Sequence, residues 1–223
     1  MKKKRIKISI ILNILIVVMV FIASIIMFTG FKFMNGNDIV LESTKLGMFK
    51  FFTVDSNILM GIVALLFLIS EVKLIKGVIK DIPKYLYILK YVGTVSVMIT
   101  FSTVFLYLGH IVDGGLYSMI MNSNLFFHLL IPITSLITFC LFERSNKLEF
   151  RDSFYGLIPM GVYGVYYLSN VLIHMDGGVV SFKYDWYWFA QNGTIGIISV
   201  LLIMFIGTYI LSLLVWRFNK TNK

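Results

Sequence analysis

The chain has 223 residues, of which 58% are hydrophobic and 14% charged, and its formal net charge is +9. A mean hydropathy of +0.88 is too high for a soluble domain built around one buried core. The positive charge does not indicate nucleic-acid binding, because the basic residues fall in the connections between apolar stretches. These values predict an integral membrane protein without a soluble domain.

Six apolar runs are close to the roughly 20 residues that a helix needs to cross the hydrocarbon core. In chain order, the predicted spans lie near 8–29, 49–70, 86–109, 117–142, 153–174 and 193–216. The first run is longer than the apolar core of a signal peptide and is not followed by a typical cleavage site, so it is predicted to be an uncleaved anchor. We therefore predict an all-α fold, a six-transmembrane-helix bundle that forms one domain over residues 1–223.

The distribution of basic residues predicts the orientation of this bundle. Of the 20 lysines and arginines, 16 fall on the side that carries both termini. The positive-inside rule therefore predicts that the N and C termini are cytoplasmic. A small, lysine-rich membrane protein favours a bacterial plasma membrane, although the Asn192-Gly193-Thr194 sequon leaves a eukaryotic host open.

Span two begins with the aromatic cluster Phe49-Lys50-Phe51-Phe52-Thr53-Val54-Asp55. Thr53, Ser56 and Asn57 follow the spacing i, i+3, i+4 and form one polar face of the helix. Asp55 is rotated by roughly 200° from Thr53, so we do not expect it to touch the partner of Thr53.

Span four carries His128, the one histidine in the interior of a predicted span, since His110 and His174 fall at the outer ends of spans three and five. An imidazole at this depth needs a hydrogen-bond partner and usually faces the interior of a bundle. Asn124 is four residues earlier and shares its helical face. Pro132 lacks the N–H that would bond the carbonyl of His128, so a kink is expected just below the histidine.

Thr53 and His128 together supply the minimum for nucleophilic catalysis, since a threonine hydroxyl needs a base within hydrogen-bond reach and neutral histidine is the usual one. From the predicted starts of their spans, Thr53 lies about 6 Å and His128 about 15 Å along the helix. A helix tilt or a shifted boundary would bring them level. We predict that these two residues are catalytic.

Further groups are needed to orient the imidazole and to donate hydrogen bonds to an oxyanion. The candidates by position are Asn57, Asn124, Asn170 and Tyr166 or Tyr167, with Asp55 as a further polar residue. Phenylalanine side chains beside the pair, chiefly Phe52 and Phe127, suit the wall of an acyl-chain pocket. We expect no metal and no cofactor, and the single cysteine, Cys140, excludes an internal disulfide or a cysteine-based metal cluster. Asp185-Trp186-Tyr187-Trp188, in the last outer loop, has the composition of an interfacial aromatic belt.

These clusters resemble the androgen-induced integral-membrane hydrolases, six-span proteins that cleave fatty-acid esters of hydroxy fatty acids, and their uncharacterised bacterial relatives. The resemblance rests on Phe49 to Asp55, on Asn124, His128 and Pro132, and more weakly on the aromatic segment from Tyr163 to Asn170. It implies a threonine nucleophile at Thr53 and a catalytic histidine at His128.

The favoured hypothesis is an intramembrane hydrolase of lipid-like esters, with a membrane lipid or fatty-acid ester as partner and an outer-leaflet cavity between spans two, four and five. Two alternatives remain. The chain is a non-catalytic lipid-binding or assembly protein, with glycines of spans five and six packing closely, or a small-solute transporter. Against transport stands the scarcity of charge within the spans, where Asp55 is the one acidic candidate.

Overall fold

A computed structural model describes residues 3–34, 43–112, 114–190 and 193–220. Within these ranges the chain is helical and has no β-strand, only an isolated bridge between Asp176 and Val179. Six helices are long and apolar enough to span a membrane, which confirms the predicted fold class. Spans one to six are Lys3–Thr29, Phe52–Ile75, Lys84–Ile111, Leu125–Phe142, Phe150–Ile173 and Gly193–Asn219. Asn192 of the predicted sequon lies outside the described residues.

Three of the spans are not uniform α-helices. Span three continues from Lys84–Thr103 through a π-helical turn, Val104–Leu108, into Gly109–Ile111. Span four consists of a π-helical segment, Leu125–Leu130, an α-helix, Ile131–Ile137, and a second π-helical segment, Thr138–Phe142. Span five begins as a 3-10 helix, Phe150–Leu157, before the α-helix Ile158–Ile173. Two short helices, Lys45–Lys50 and Gly115–Ser118, precede spans two and four.

Span four begins at Leu125, later than the predicted start at residue 117. The cause is a series of turns that follows the helix Gly115–Ser118. Asn122 has a φ of 50°, a left-handed conformation that asparagine tolerates better than most residues. Its Oδ1 accepts hydrogen bonds from the amides of Phe33 and Met34 at 2.7 and 2.8 Å. The turn is thus fixed to the segment after span one, and the helix starts only beyond it.

Small residues allow two pairs of spans to approach closely. A Cβ added at Gly61 of span two would lie 2.9 Å from a methyl carbon of Val20 in span one, and Gly156 of span five lies against the side chain of Ser212 in span six. Close helix contact through small residues is the usual mode of packing in membranes, where the hydrophobic effect does not drive helices together. These glycines therefore serve packing within the chain.

The alternation of six spans defines two ends of the bundle. The terminal end holds the described termini and the opposite, loop end holds the starts of spans two, four and six. A buried group of polar residues, here called the charged cluster, lies toward the terminal end between spans one to four. Its members are Ser9, Asn13, Glu71, Lys90 and Glu143, each 0% exposed.

Hydrogen bonds and one ion pair join the members of the charged cluster. Lys90 Nζ lies 3.4 Å from Glu143 Oε1 and donates to Asn13 Oδ1. Asn13 Nδ2 donates to Glu143 Oε1 at 2.7 Å and to Glu71 Oε2 at 3.2 Å. The expectation that Asp55 is the one acidic residue within the spans is therefore wrong: two buried carboxylates lie at the opposite end of the bundle.

Candidate active site

Thr53 and His128 meet at the loop end of the bundle. Thr53 is the second residue of span two and His128 the fourth residue of span four, so both lie within about one turn of a helix start. Thr53 Oγ1 and His128 Nε2 are 3.5 Å apart, within reach of a hydrogen bond that could tighten on binding a substrate. The separation in depth expected from the sequence disappears because span four starts later than predicted.

The other ring nitrogen of His128 fixes the tautomer. Nδ1 is hydrogen-bonded to the backbone carbonyl of Met119, in the turn before span four. A carbonyl can only accept, so Nδ1 carries the hydrogen and the lone pair of Nε2 faces Thr53. The imidazole is buried, with 3% of the residue exposed. His128 is therefore held as a neutral base directed at the threonine hydroxyl.

The group that orients the imidazole is therefore a main-chain atom and not one of the predicted side chains. Every residue carries a carbonyl, so residue identity at Met119 gives no signal in the sequence. Helical periodicity also gave no indication of the turn at Asn122 that places this carbonyl. A π-helical segment, Leu125–Leu130, carries His128 immediately before Pro132, and such segments are frequent at functional sites.

Asn57 links the two helices that carry Thr53 and His128. Its Nδ2 donates to the carbonyl of Thr53 at 2.7 Å and to the carbonyl of Phe127 at 3.2 Å, so it joins spans two and four beside the two side chains. Within the described part of the chain, Asn57 Oδ1 and Asn124 Nδ2 are buried atoms without a hydrogen-bond partner. Unsatisfied buried polar atoms are costly, and an acceptor and a donor of this kind are suited to binding a water or a ligand.

A small cavity of about 30 Å³ adjoins the hydroxyl side of the pair, which is room for a water molecule but not for an acyl chain. Its lining includes Phe52, Thr53, Leu108, Tyr163, Tyr187 and Phe189. The predicted cavity between spans two, four and five is thus displaced: spans two, three, five and six line the observed one. Phe52 is part of its wall as predicted, whereas Phe127 is fully buried and is not among the lining residues.

The small cavity adjoins a larger one of about 320 Å³ between spans three and six, and the two share Thr103, Phe189 and Met204. Aliphatic and aromatic side chains dominate the larger lining, among them Ile99, Leu106 and Ile203. An apolar cavity on the flank of the bundle therefore lies next to the small cavity at Thr53.

Tyr187, from the loop between spans five and six, reaches the same cavity. Its hydroxyl oxygen accepts a hydrogen bond from the amide of Phe52 at 3.1 Å. Burial raises the pKa of Tyr187 to about 12, and the hydrogen bond from the Phe52 amide to its oxygen offsets this only in part. The phenol therefore keeps its proton near neutral pH and remains a hydrogen-bond donor beside Thr53.

The loop that carries Tyr187 packs into the protein and does not form an aromatic belt at the membrane interface. Asp185, Trp186 and Tyr187 are all buried. Asp185 accepts hydrogen bonds from the amides of Phe189 and Ala190 at 3.0 and 2.9 Å. The aromatic-belt interpretation is therefore wrong for these residues, of which Tyr187 lines the small cavity. No periodic pattern in a loop could have indicated this.

The remaining predicted polar residues lie apart from the imidazole. Asp55 is exposed and lines an outer groove with Tyr166, which is 50% exposed. The Tyr167 hydroxyl donates to Asp185, and Asn170 Nδ2 donates to the carbonyl of Tyr184 at 2.8 Å. Tyr167 and Asn170 thus hold the loop in place. The span-five tyrosine that lines the cavity is Tyr163, which was not among the predicted site residues.

Comparisons with family models, with curated proteins and with solved structures found no match to this chain. The functional assignment therefore depends on the geometry of the site.

Proposed function

We propose that this protein is an intramembrane hydrolase of lipid-like esters, of the fatty-acid ester class, in which Thr53 is the nucleophile and His128 the base. The observation that carries the proposal is the single arrangement of the imidazole, with Nδ1 bonded to the Met119 carbonyl and Nε2 facing Thr53 Oγ1 at 3.5 Å. The resemblance to the androgen-induced integral-membrane hydrolases agrees with these two roles.

The reaction follows from these contacts. His128 Nε2 takes the proton of Thr53 Oγ1 as this oxygen attacks the ester carbonyl, whose electron pair moves to the carbonyl oxygen. Collapse of the tetrahedral intermediate breaks the bond to the alkoxide, which takes the proton from the imidazolium and leaves an acyl-threonine. Water then attacks the acyl group, gives its proton to Nε2, and the proton returns to Oγ1 as the carboxylic acid departs.

Tyr187 is the best-placed donor for the developing oxyanion. Its hydroxyl lines the same cavity as Thr53, and its own oxygen is held by the Phe52 amide. A preorganised donor in a cavity without bulk water stabilises negative charge strongly. The apolar space between spans three and six suits the acyl chain of such an ester.

The positive-inside rule adds a location to this proposal. With both termini in the cytoplasm, the loop end and its Thr53–His128 pair lie in the outer leaflet, and a bacterial plasma membrane is the host that the lysine-rich composition favours.

A fluorophosphonate probe on the protein in isolated membranes tests the nucleophile. We expect labelling of the wild type and none of Thr53→Ala or His128→Ala. Thr103→Ala is the matched control, since Thr103 lines the same cavity but forms no hydrogen bond with His128. Labelling that persists in Thr53→Ala would remove the nucleophile assignment.

The apolar space also supports a second candidate, lipid binding without chemistry. In that case a radiolabelled lipid ester would co-purify with the protein and be recovered intact. The amount of intact ester would be the same for wild type and for Thr53→Ala. Release of the free acid by wild type alone separates the two functions.

A further inference from the structure

A cavity of about 510 Å³ lies at the terminal end of the bundle, far from the Thr53–His128 pair. It is open on one side, and its lining comes from the start of span one, the end of span two, the connection between spans two and three, the start of span three and the connection after span four. Four cationic side chains line it, Arg5, Lys80, Arg144 and Lys147, here called the basic vestibule.

The basic vestibule carries more positive charge than its surroundings neutralise. Asp81 is the carboxylate in its lining and forms an ion pair with Lys147. Arg5, Lys80 and Arg144 form no salt bridge with any described carboxylate. The neighbouring charged cluster adds one cation, Lys90, and two carboxylates, Glu71 and Glu143. The two groups together contain five cations and three carboxylates. The region therefore has two unneutralised positive charges.

The two arginines are held in place by main-chain atoms. Arg5 Nε donates to the carbonyl of Phe142 at 2.9 Å, and a second Arg5 nitrogen donates to the carbonyl of Arg144 at 3.4 Å. Arg144 donates to the carbonyl of Lys220, but its Nε is buried and has no acceptor among the described residues. Two neighbouring guanidinium groups without a counter-ion repel each other, and an anion between them would remove that cost.

Phosphate is the anion that matches this arrangement. The guanidinium group presents its donors in a planar fork that suits phosphate oxygens, and Lys80 adds a mobile charge. A phosphate group carries between one and two negative charges, which fits an excess of two. Basic pockets at the end of a transmembrane bundle, beside the charged headgroups, are typical places for phospholipid recognition.

We propose that the basic vestibule binds a phosphate group, supplied either by the headgroup of an anionic phospholipid or by a small phosphate solute. This site is independent of the ester chemistry at the loop end. Arg5 and Arg144 donate hydrogen bonds to the phosphate oxygens, and Lys80 contributes positive charge at the edge of the cavity.

Binding to the purified full-length protein in detergent tests the proposal, with three probes: short-chain phosphatidylglycerol, phosphatidylcholine with the same chains, and inorganic phosphate. We expect a rise in melting temperature with phosphatidylglycerol or with inorganic phosphate, and little with phosphatidylcholine. A response to phosphatidylglycerol alone identifies the headgroup as the source, and a response to inorganic phosphate alone identifies a solute. No response to either overturns the proposal.

Variants show whether the binding is local. Lys80→Gln removes a charge from a side chain that forms no hydrogen bond or ion pair with the described residues. We expect binding about fivefold weaker, a loss of roughly 1 kcal/mol. Arg144→Gln is expected to weaken binding by about tenfold or more, since it removes the planar fork. Arg217→Gln is the matched control, because Arg217 is exposed at the same end and does not line the cavity. An equal loss in all three variants would mean diffuse attraction to a basic surface and would overturn the site.

Discussion

The two buried polar regions of this bundle are built on opposite principles. The charged cluster at the terminal end joins four spans through ionic groups, with an ion pair of 3.4 Å and three donors on one carboxylate oxygen, Glu143 Oε1. The Thr53–His128 pair at the loop end is neutral, has a contact of 3.5 Å and leaves nearby amide atoms unpaired. Charge in a membrane interior must be compensated and therefore fixes structure, whereas a pair of neutral side chains needs no counter-ion in its resting state.

Lys90→Met should have the largest effect on stability. It removes the cation of the charged cluster and leaves two carboxylates, Glu71 and Glu143, without a positive partner in a fully buried place. Breaking a buried ion pair by removing one member typically costs about 3–5 kcal/mol. Unfolding in detergent, followed by tryptophan fluorescence, measures this loss.

The double variant Lys90→Met with Glu143→Gln provides the control. It removes both charges of the pair, and we expect it to be less destabilised than the sum of the single variants, with a coupling of roughly 0.5–3 kcal/mol. Additive losses would show that the two side chains do not interact, and the contrast with the neutral pair would fail.

Tyr187→Phe should reduce ester hydrolysis by about 10²–10³-fold if its hydroxyl donates to the oxyanion. The ring stays in place, so the melting temperature should change far less than in Lys90→Met. Because burial raises the pKa of Tyr187 to about 12, the hydroxyl remains a donor at pH 9, and the difference between wild type and variant should persist there. Hydrolysis of a long-chain ester by purified protein at pH 7 and pH 9 measures it.

Tyr166→Phe is the matched control for this prediction. Tyr166 is on the same side of the molecule but half exposed in the outer groove with Asp55. Equal rate losses in the two variants would indicate a general effect on aromatic packing and would remove the proposed role of Tyr187.

Asn57→Leu should destabilise the fold by about 1–3 kcal/mol, because it removes a buried side-chain donor from two carbonyls, although Ser56 still donates to that of Thr53. The amide donates to the carbonyls of Thr53 and Phe127, so the variant also loosens the link between spans two and four beside the Thr53–His128 pair. The expected loss is smaller than for Lys90→Met because no charge is left unpaired. Thr29→Val is a suitable reference, since the exposed Thr29 hydroxyl bonds only carbonyls and an amide of its own segment.

Apolar run length predicted the six spans, and residue chemistry together with the resemblance selected Thr53 and His128. The sequence did not predict the charged cluster, because Glu71, Lys90 and Glu143 lie near span ends, where the positive-inside rule treats charge as part of the connections. Their burial depends on which helix faces meet, and this is a property of the assembled bundle. The same applies to the Met119 carbonyl and to Tyr187, which reach the site through a turn and a loop that have no periodicity.

Lys84→Gln should have the smallest effect and completes the contrast between buried and exposed charge. Lys84 Nζ lies 2.8 Å from both Glu149 and Asp152, yet its side chain is 35% exposed. Exposed ion pairs contribute little, because water screens them and the side chains lose entropy. Asp152 still accepts the Glu149 amide at 2.7 Å, so the start of span five keeps its cap. We therefore expect an unchanged melting temperature, while the pKa of Glu149, held low chiefly by the hydrogen bond from Lys84, should rise toward its ordinary value in an NMR titration. A loss as large as that of Lys90→Met would show that distance alone, and not burial, determines what these ion pairs contribute.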